Sequence, residues 1–258
     1  MLKVLILAGG LGSRLGYLSE NVPKPLVKVC GKPISFYIVD VFRDQGFSDF
    51  IFAVGYKKEN FHETFKNTFY HCSDIEYNTK YPNGKLNSHI YKDCSFRVID
   101  TGLYNQTGSR ISQVFNFIDD DILICTYGDG LANVSIEDLI NTHKKSNALA
   151  TITAVNPPAR FGGIKISGNK VVSFSEKKTI QNNWINGGFM VITREFVDKY
   201  LSQNQNCILE DKPLETAAKD GNLGVYKHEG FWQCMDTPRD HKIIEEIIKT
   251  NYGSIKEP

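Results

Sequence analysis

Charge of one sign is in short supply in this chain. Its 30 Lys and Arg face 29 Asp and Glu, for a net of +1 at neutral pH. That balance supplies no electrostatic reason to bind nucleic acid or a membrane surface, and neither partner is expected. Long apolar runs are missing too. The run after Lys3 has five or six residues, too few for the core of a secretion signal, and no stretch approaches a bilayer-spanning length. Paired cysteines are also lacking. Cys30, Cys72, Cys94, Cys125, Cys207 and Cys234 are scattered, with no Cys-x-x-Cys and no His-Cys group at zinc spacing. They read as reduced, mostly buried thiols, so the expected location is cytoplasmic. With neither a linker-like stretch nor an internal repeat, the 258 residues are expected to form a single domain.

What is present is concentrated in residues 4–25. An apolar run over residues 4–8 predicts a buried parallel strand, which breaks at once into Gly9-Gly10-Leu11-Gly12-Ser13-Arg14, with Lys24 between two prolines further on. Glycines directly after a strand let backbone N–H groups converge on phosphate oxygens, and Arg14 and Lys24 add full positive charge against a polyphosphate. The dinucleotide fingerprint fits poorly. Leu15 stands where its third glycine belongs, and Ser19-Glu20-Asn21 leads into Pro-Lys-Pro rather than closing a strand with an acidic residue. The P-loop pattern is absent as well. A plain glycine turn without a ligand stays open on this segment alone.

Strand and helix signals then alternate. Helices are predicted at 33–45, 60–70, 107–117 and 135–145, the last with Ser135 as N-cap and Asp138 in the capping-box position. Strands are predicted at 50–54, 96–100 and 122–127, and residues 78–95 read as an inserted loop or hairpin. The second half predicts short strands at 151–155, 163–166, 170–174 and 188–192, a turn at Gly168-Asn169, and helices at 213–219 and 238–249. This is an α/β chain with a Rossmann-like, mostly parallel sheet. The expected division is a nucleotide-binding lobe over about residues 1–147 and a β-rich lobe over about 148–258.

A triphosphate calls for magnesium, and magnesium for hard oxygen ligands. Asp129 follows the 122–127 strand between Gly128 and Gly130, at the carboxyl edge where open parallel sheets bind ligands. Asp119-Asp120-Asp121 precedes that strand and reads as a solvated turn at the opposite edge. Asp236, just ahead of Pro238, serves equally well as a helix N-cap or, beside Asp129, as a second metal ligand.

These motifs resemble the nucleoside-diphosphate-sugar pyrophosphorylases, and within them the CTP:glucose-1-phosphate cytidylyltransferases, over nearly the full length. The resemblance is carried by the segment Leu7 to Leu15, Pro23-Lys24-Pro25, Gly31-Lys32-Pro33-Ile34, Gly55-Tyr56-Lys57 and Asp100-Thr101-Gly102. It continues through Thr126-Tyr127-Gly128-Asp129-Gly130, Arg160-Phe161-Gly162, Trp184-Ile185-Asn186-Gly187-Gly188-Phe189, Lys227-His228, Gly230-Phe231-Trp232-Gln233 and Met235-Asp236-Thr237. It implies a glycosyltransferase-A-like nucleotidyltransferase fold whose β-rich lobe binds the acceptor. The partners implied are CTP and a small phosphorylated acceptor, with glucose 1-phosphate foremost; magnesium is the cofactor and the assembly a homo-oligomer.

The resemblance also implies residue roles. Arg14 and Lys24 are catalytic. Leu7, Ala8, Gly9, Gly10, Leu11, Gly12 and Ser13 form the nucleotide loop, joined by Gly128, with Gly108, Ser109 and Arg110 as candidate base readers. Asp129 and Asp236 hold the metal. Gly162, Glu176, Lys177, Asn186 and Gly187 bind the acceptor. Blander readings remain: Lys177 as surface charge, Asn186 as a turn, Arg110 on a solvated helix face. Ser109 replaces a family glycine, Lys178 a proline and Cys234 another proline, and residues around 76–95 share little with the family. These departures leave open another phosphate acceptor, or a nucleotide-sensing homologue without turnover.

Overall fold

The computed structural model describes residues 2–71, 73–76, 85–88, 91, 93–157, 163–175 and 184–256. Part of the 78–95 insert, Gly162, Glu176 and Lys177 lie outside those residues. Eight strands form the main sheet, numbered here along the chain: β1 (Val4–Leu7), β2 (Asp49–Val54), β3 (Ser95–Asp100), β4 (Ile122–Tyr127), β5 (Ala150–Val155), β6 (Ile185–Asn186), β7 (Met190–Thr193) and β8 (Leu223–His228). Among the described residues seven α-helices accompany them: α1 (Ile34–Asp44), α2 (Lys58–His71), α3 (Thr107–Phe115), α4 (Ile136–Ser146), α5 (Arg194–Tyr200), α6 (Lys212–Lys219) and α7 (Pro238–Lys256).

β1 is central because it is apolar on both faces. Val4 and Ile6 face the core under α1, α2 and α7, while Leu5 and Leu7 face the core under α3, α5 and α6. It runs parallel to β2 on one side and β4 on the other, with Leu7 opposite both Ala53 and Tyr127. β3 continues the sheet in parallel beyond β2. On the other side β7 is reversed, antiparallel to β4 and to β5. β5 also takes β6 antiparallel at its far end and β8 in parallel. The sheet is thus mixed and mostly parallel. The second half does not stand beside the first as a detached lobe; the β4–β7 pairing makes one sheet of both.

Local chemistry accounts for several boundaries. Ser135 caps α4 by accepting from the Asp138 N–H at 3.2 Å. The strand expected from residue 188 starts at Met190, because Gly188 turns the chain with a φ of +78°. α5 and β8 carry no clear sequence signal: the first has only seven residues, and the second is an edge strand with mostly half-exposed side chains. Among the described residues no helix is long and apolar enough to cross a membrane.

Candidate active site

The carboxyl ends of β1, β2 and β4 meet at one edge of the sheet. The Ala8 N–H donates to Ala53 O and the Gly128 N–H to Leu7 O, both at 2.9 Å, so three strand tips are tied together there. A cavity of about 470 Å³ opens above them, lined by residues 7–14, Lys24, Pro25, residues 103–107, Arg110, Tyr127, Gly128 and Asp129. The whole expected nucleotide loop therefore lines one space. Gly12 adopts a left-handed φ of +65°, with the position of its missing Cβ 3.0 Å from Lys24 Cβ. That close approach sets Lys24 beneath the loop.

A second cavity of about 230 Å³ adjoins the first and shares Arg14, Tyr127 and Asp129 with it. Its other walls are Thr126, Gly130, Asn186, Gly187, Trp232, Cys234 and Asp236. A short ribbon builds this junction. Residues Gly130–Ala132 pair antiparallel with Trp232–Cys234, and the Met235 N–H donates to Asp129 O at 2.9 Å. The pairing carries Asp236 from the far end of the sequence to the side of Asp129.

Both carboxylates engage one ammonium. Lys24 Nζ contacts Asp129 and donates to Asp236 Oδ1 at 2.6 Å, while Arg14 Nη2 lies 3.2 Å from the same Asp236 oxygen. Burial lowers the Lys24 pKa, but the charges and hydrogen bonds of Asp129 and Asp236 outweigh burial and leave it raised. Asp236 is not the cap of α7. Asp240 accepts from the Asp236 and Thr237 N–H groups, and Thr237 Oγ1 accepts from the Asp240 N–H, closing the helix end without the Asp236 carboxylate. Arg14 has a side chain 76% exposed, free to reach into either cavity.

Arg110 is not on a solvated face, and it lines the first cavity. It is 4% exposed and runs beneath the glycine loop. Its Nη1 donates to Val54 O at 3.1 Å, Thr101 Oγ1 at 2.6 Å and Gly102 O at 2.9 Å, and its Nη2 to Gly9 O at 2.9 Å. Burial brings its pKa down to about 10, with Asp100 opposing, so it keeps its charge at neutral pH. It is a buried cation clamping the loops that follow β1, β2 and β3. Gly108 and Ser109 turn away from the cavity: Gly108 abuts Cys207, and Ser109 Oγ donates to Gln203 O at 3.3 Å.

Gly187 leaves no room for a side chain, since a Cβ would stand 2.6 Å from Val155 Cγ1. Its carbonyl accepts from Trp232 Nε1 at 2.8 Å. The acidic run before β4 lies at the opposite edge, where Asp120 meets Lys3 and Asp121 O accepts from the Arg194 N–H. His143, His228 and His241 are spent on Thr151, Phe231 O and Lys28 O. Residues 103–107, Tyr127 and Glu210 went unassigned in the sequence. The first follow a strand end at Asp100-Thr101-Gly102, which is a usable signal, whereas Glu210 carries none.

This is the site of a nucleotidyltransferase: residues 3–237 match the nucleotidyl transferase family, and the chain belongs to it. It is 38% identical over 247 residues to the glucose-1-phosphate cytidylyltransferase of Salmonella typhi, covering 95% of both chains. It is 35% identical over 256 residues to the probable glucose-1-phosphate cytidylyltransferase of Bacillus subtilis, covering 96% of this chain and 95% of that one. HddC from Yersinia pseudotuberculosis shares the fold, with a TM-score of 0.69 at 22% identity over 95% of this chain and 99% of that chain.

Proposed function

We propose that this enzyme moves CMP from CTP to glucose 1-phosphate, releasing pyrophosphate and a CDP-linked sugar. One observation carries the chemistry: two carboxylates from distant segments share the Lys24 ammonium where two cavities join. A phosphate oxygen of the acceptor attacks the α-phosphorus in line, the new P–O bond forms, and the bond to the β-phosphate breaks with its electron pair leaving on pyrophosphate. Two mutually repelling phosphates must be held together, so positioning and positive charge supply most of the acceleration. The loop amides and Arg14 hold the β- and γ-phosphates, and Lys24 meets the charge that grows at the α-phosphate. On the acceptor side, Lys177 grips the phosphate, Glu176 and Asn186 bond hydroxyls, Gly187 permits close approach, and Gly162 joins them in binding the acceptor.

Magnesium fits this donor set. Asp129 and Asp236 direct hard oxygens at one cationic position, and magnesium is commonly held by one or two carboxylates completed by substrate phosphates and water. Bound there, it would neutralise charge on the transferring phosphate. The relatives' names support CTP and glucose 1-phosphate. The setting this reading carries is a cytoplasmic homo-oligomer serving surface-polysaccharide synthesis.

A different small phosphate acceptor is the competing reading, favoured by Cys234, which lines the second cavity with its thiol 3.9 Å from Asp236. The test is pyrophosphate release with magnesium, each nucleoside triphosphate and a panel of sugar and non-sugar phosphates. CTP with glucose 1-phosphate should react fastest. Release with CTP and another phosphate, but not with glucose 1-phosphate, overturns the acceptor; no release with CTP overturns the nucleotide.

A further inference from the structure

Glu210 lies outside every motif, on the loop before α6, yet its carboxylate takes hydroxyls from both sides of the site. Oε2 accepts from Thr107 Oγ1 at 2.6 Å, at the wall of the first cavity, and Oε1 accepts from the Tyr127 hydroxyl. The Tyr127 oxygen in turn accepts from Asn186 Nδ2 at 3.4 Å, and Asn186 Oδ1 accepts from the Gly188 N–H at 3.0 Å. We propose that Glu210 is a positioning residue that, through the Tyr127 hydroxyl, fixes which end of the Asn186 amide faces the acceptor.

The reasoning follows the direction of protons. A carboxylate only accepts, and a phenol has one proton to give. With that proton given to Glu210, the Tyr127 oxygen can only accept. Asn186 must therefore turn its NH2 toward Tyr127, leaving its carbonyl for the Gly188 N–H. A phenol ordinarily keeps its proton at neutral pH, and here Glu210 accepts it in a hydrogen bond. One N–H and one carbonyl lone pair of Asn186 then remain for substrate, at set positions. A site with fixed donors and acceptors discriminates among hydroxyl patterns far better than one whose amide can flip.

This inference rests on the second cavity being the acceptor's. Glu210 is exposed, so replacing it leaves no buried vacancy. Glu210→Ala and Tyr127→Phe should each raise the KM for glucose 1-phosphate about tenfold with a smaller change in kcat. Because both cut the same chain, the double variant should be no worse than either single one. Unchanged acceptor KM in Glu210→Ala, or additive losses in the double variant, would overturn the proposal. The series is run with whichever panel phosphate reacts, so failure of glucose 1-phosphate alone counts against the acceptor reading and not against this one. Independently of turnover, the Asn186 side-chain amide resonances, assigned with Asn186→Asp, should shift in Glu210→Ala and Tyr127→Phe. Resonances that stay in place would overturn it equally.

Discussion

Lys24 sets the electrostatics of the resting site, because its ammonium stands where a cation between Asp129 and Asp236 belongs. Lys24→Met should therefore act in opposite directions on binding and catalysis. Turnover should fall about a hundredfold or more, while the nucleotide-free protein should bind Mn2+ more tightly, read from loss of the free-ion EPR signal. Weaker Mn2+ binding would show that Lys24 does not compete for the carboxylates. The sign of its pH dependence follows from its raised pKa. A lysine raised on folding stabilises fully below its unfolded value, ordinarily 10.5, and loses that contribution only as pH climbs through the higher folded value. The difference in Tm between the wild type and Lys24→Met should therefore stay constant from about pH 6 to 9.

Among the elements, the tip of β4 has little room for change. A Cβ on Gly128 would stand 2.9 Å from Pro25 Cγ and 3.0 Å from Leu7 O. Gly128→Ala should cost about 1–3 kcal/mol of stability by denaturant titration, and kcat should fall further than that cost explains because Asp129 is displaced with it. Wild-type kcat would show that the tip is not strained. The glycine loop, α1, β2, β4 and the Ser135 cap were legible because the signal of each lies within a few neighbouring residues. The 130–132/232–234 ribbon was not: two three-residue runs show no alternation, and nothing local says that they pair. The burial of Arg110 was hidden for a related reason. Its helical position looks solvated until Gly9, Val54 and Gly102 close over it from three other segments. Glu210, on an exposed loop, has no periodicity at all.

At the scale of the molecule, one sheet spans both halves of the chain, with β7 held between β4 and β5. Heat unfolding should accordingly be a single transition, with calorimetric and van't Hoff enthalpies in agreement; two resolved transitions would mean that the halves fold separately. The junction of the cavities has a further consequence. The chain has two tryptophans. Trp232 walls the second cavity, Trp184 stands under Lys227 at 5.6 Å beside a third cavity that Trp232 also borders, and neither lines the nucleotide cavity. On the proposed assignment of the cavities, the protein carries an optical label for one substrate only. Indole emission should respond when the acceptor arrives and stay nearly constant when CTP binds alone, so a stopped-flow trace would time the order of arrival without any dye.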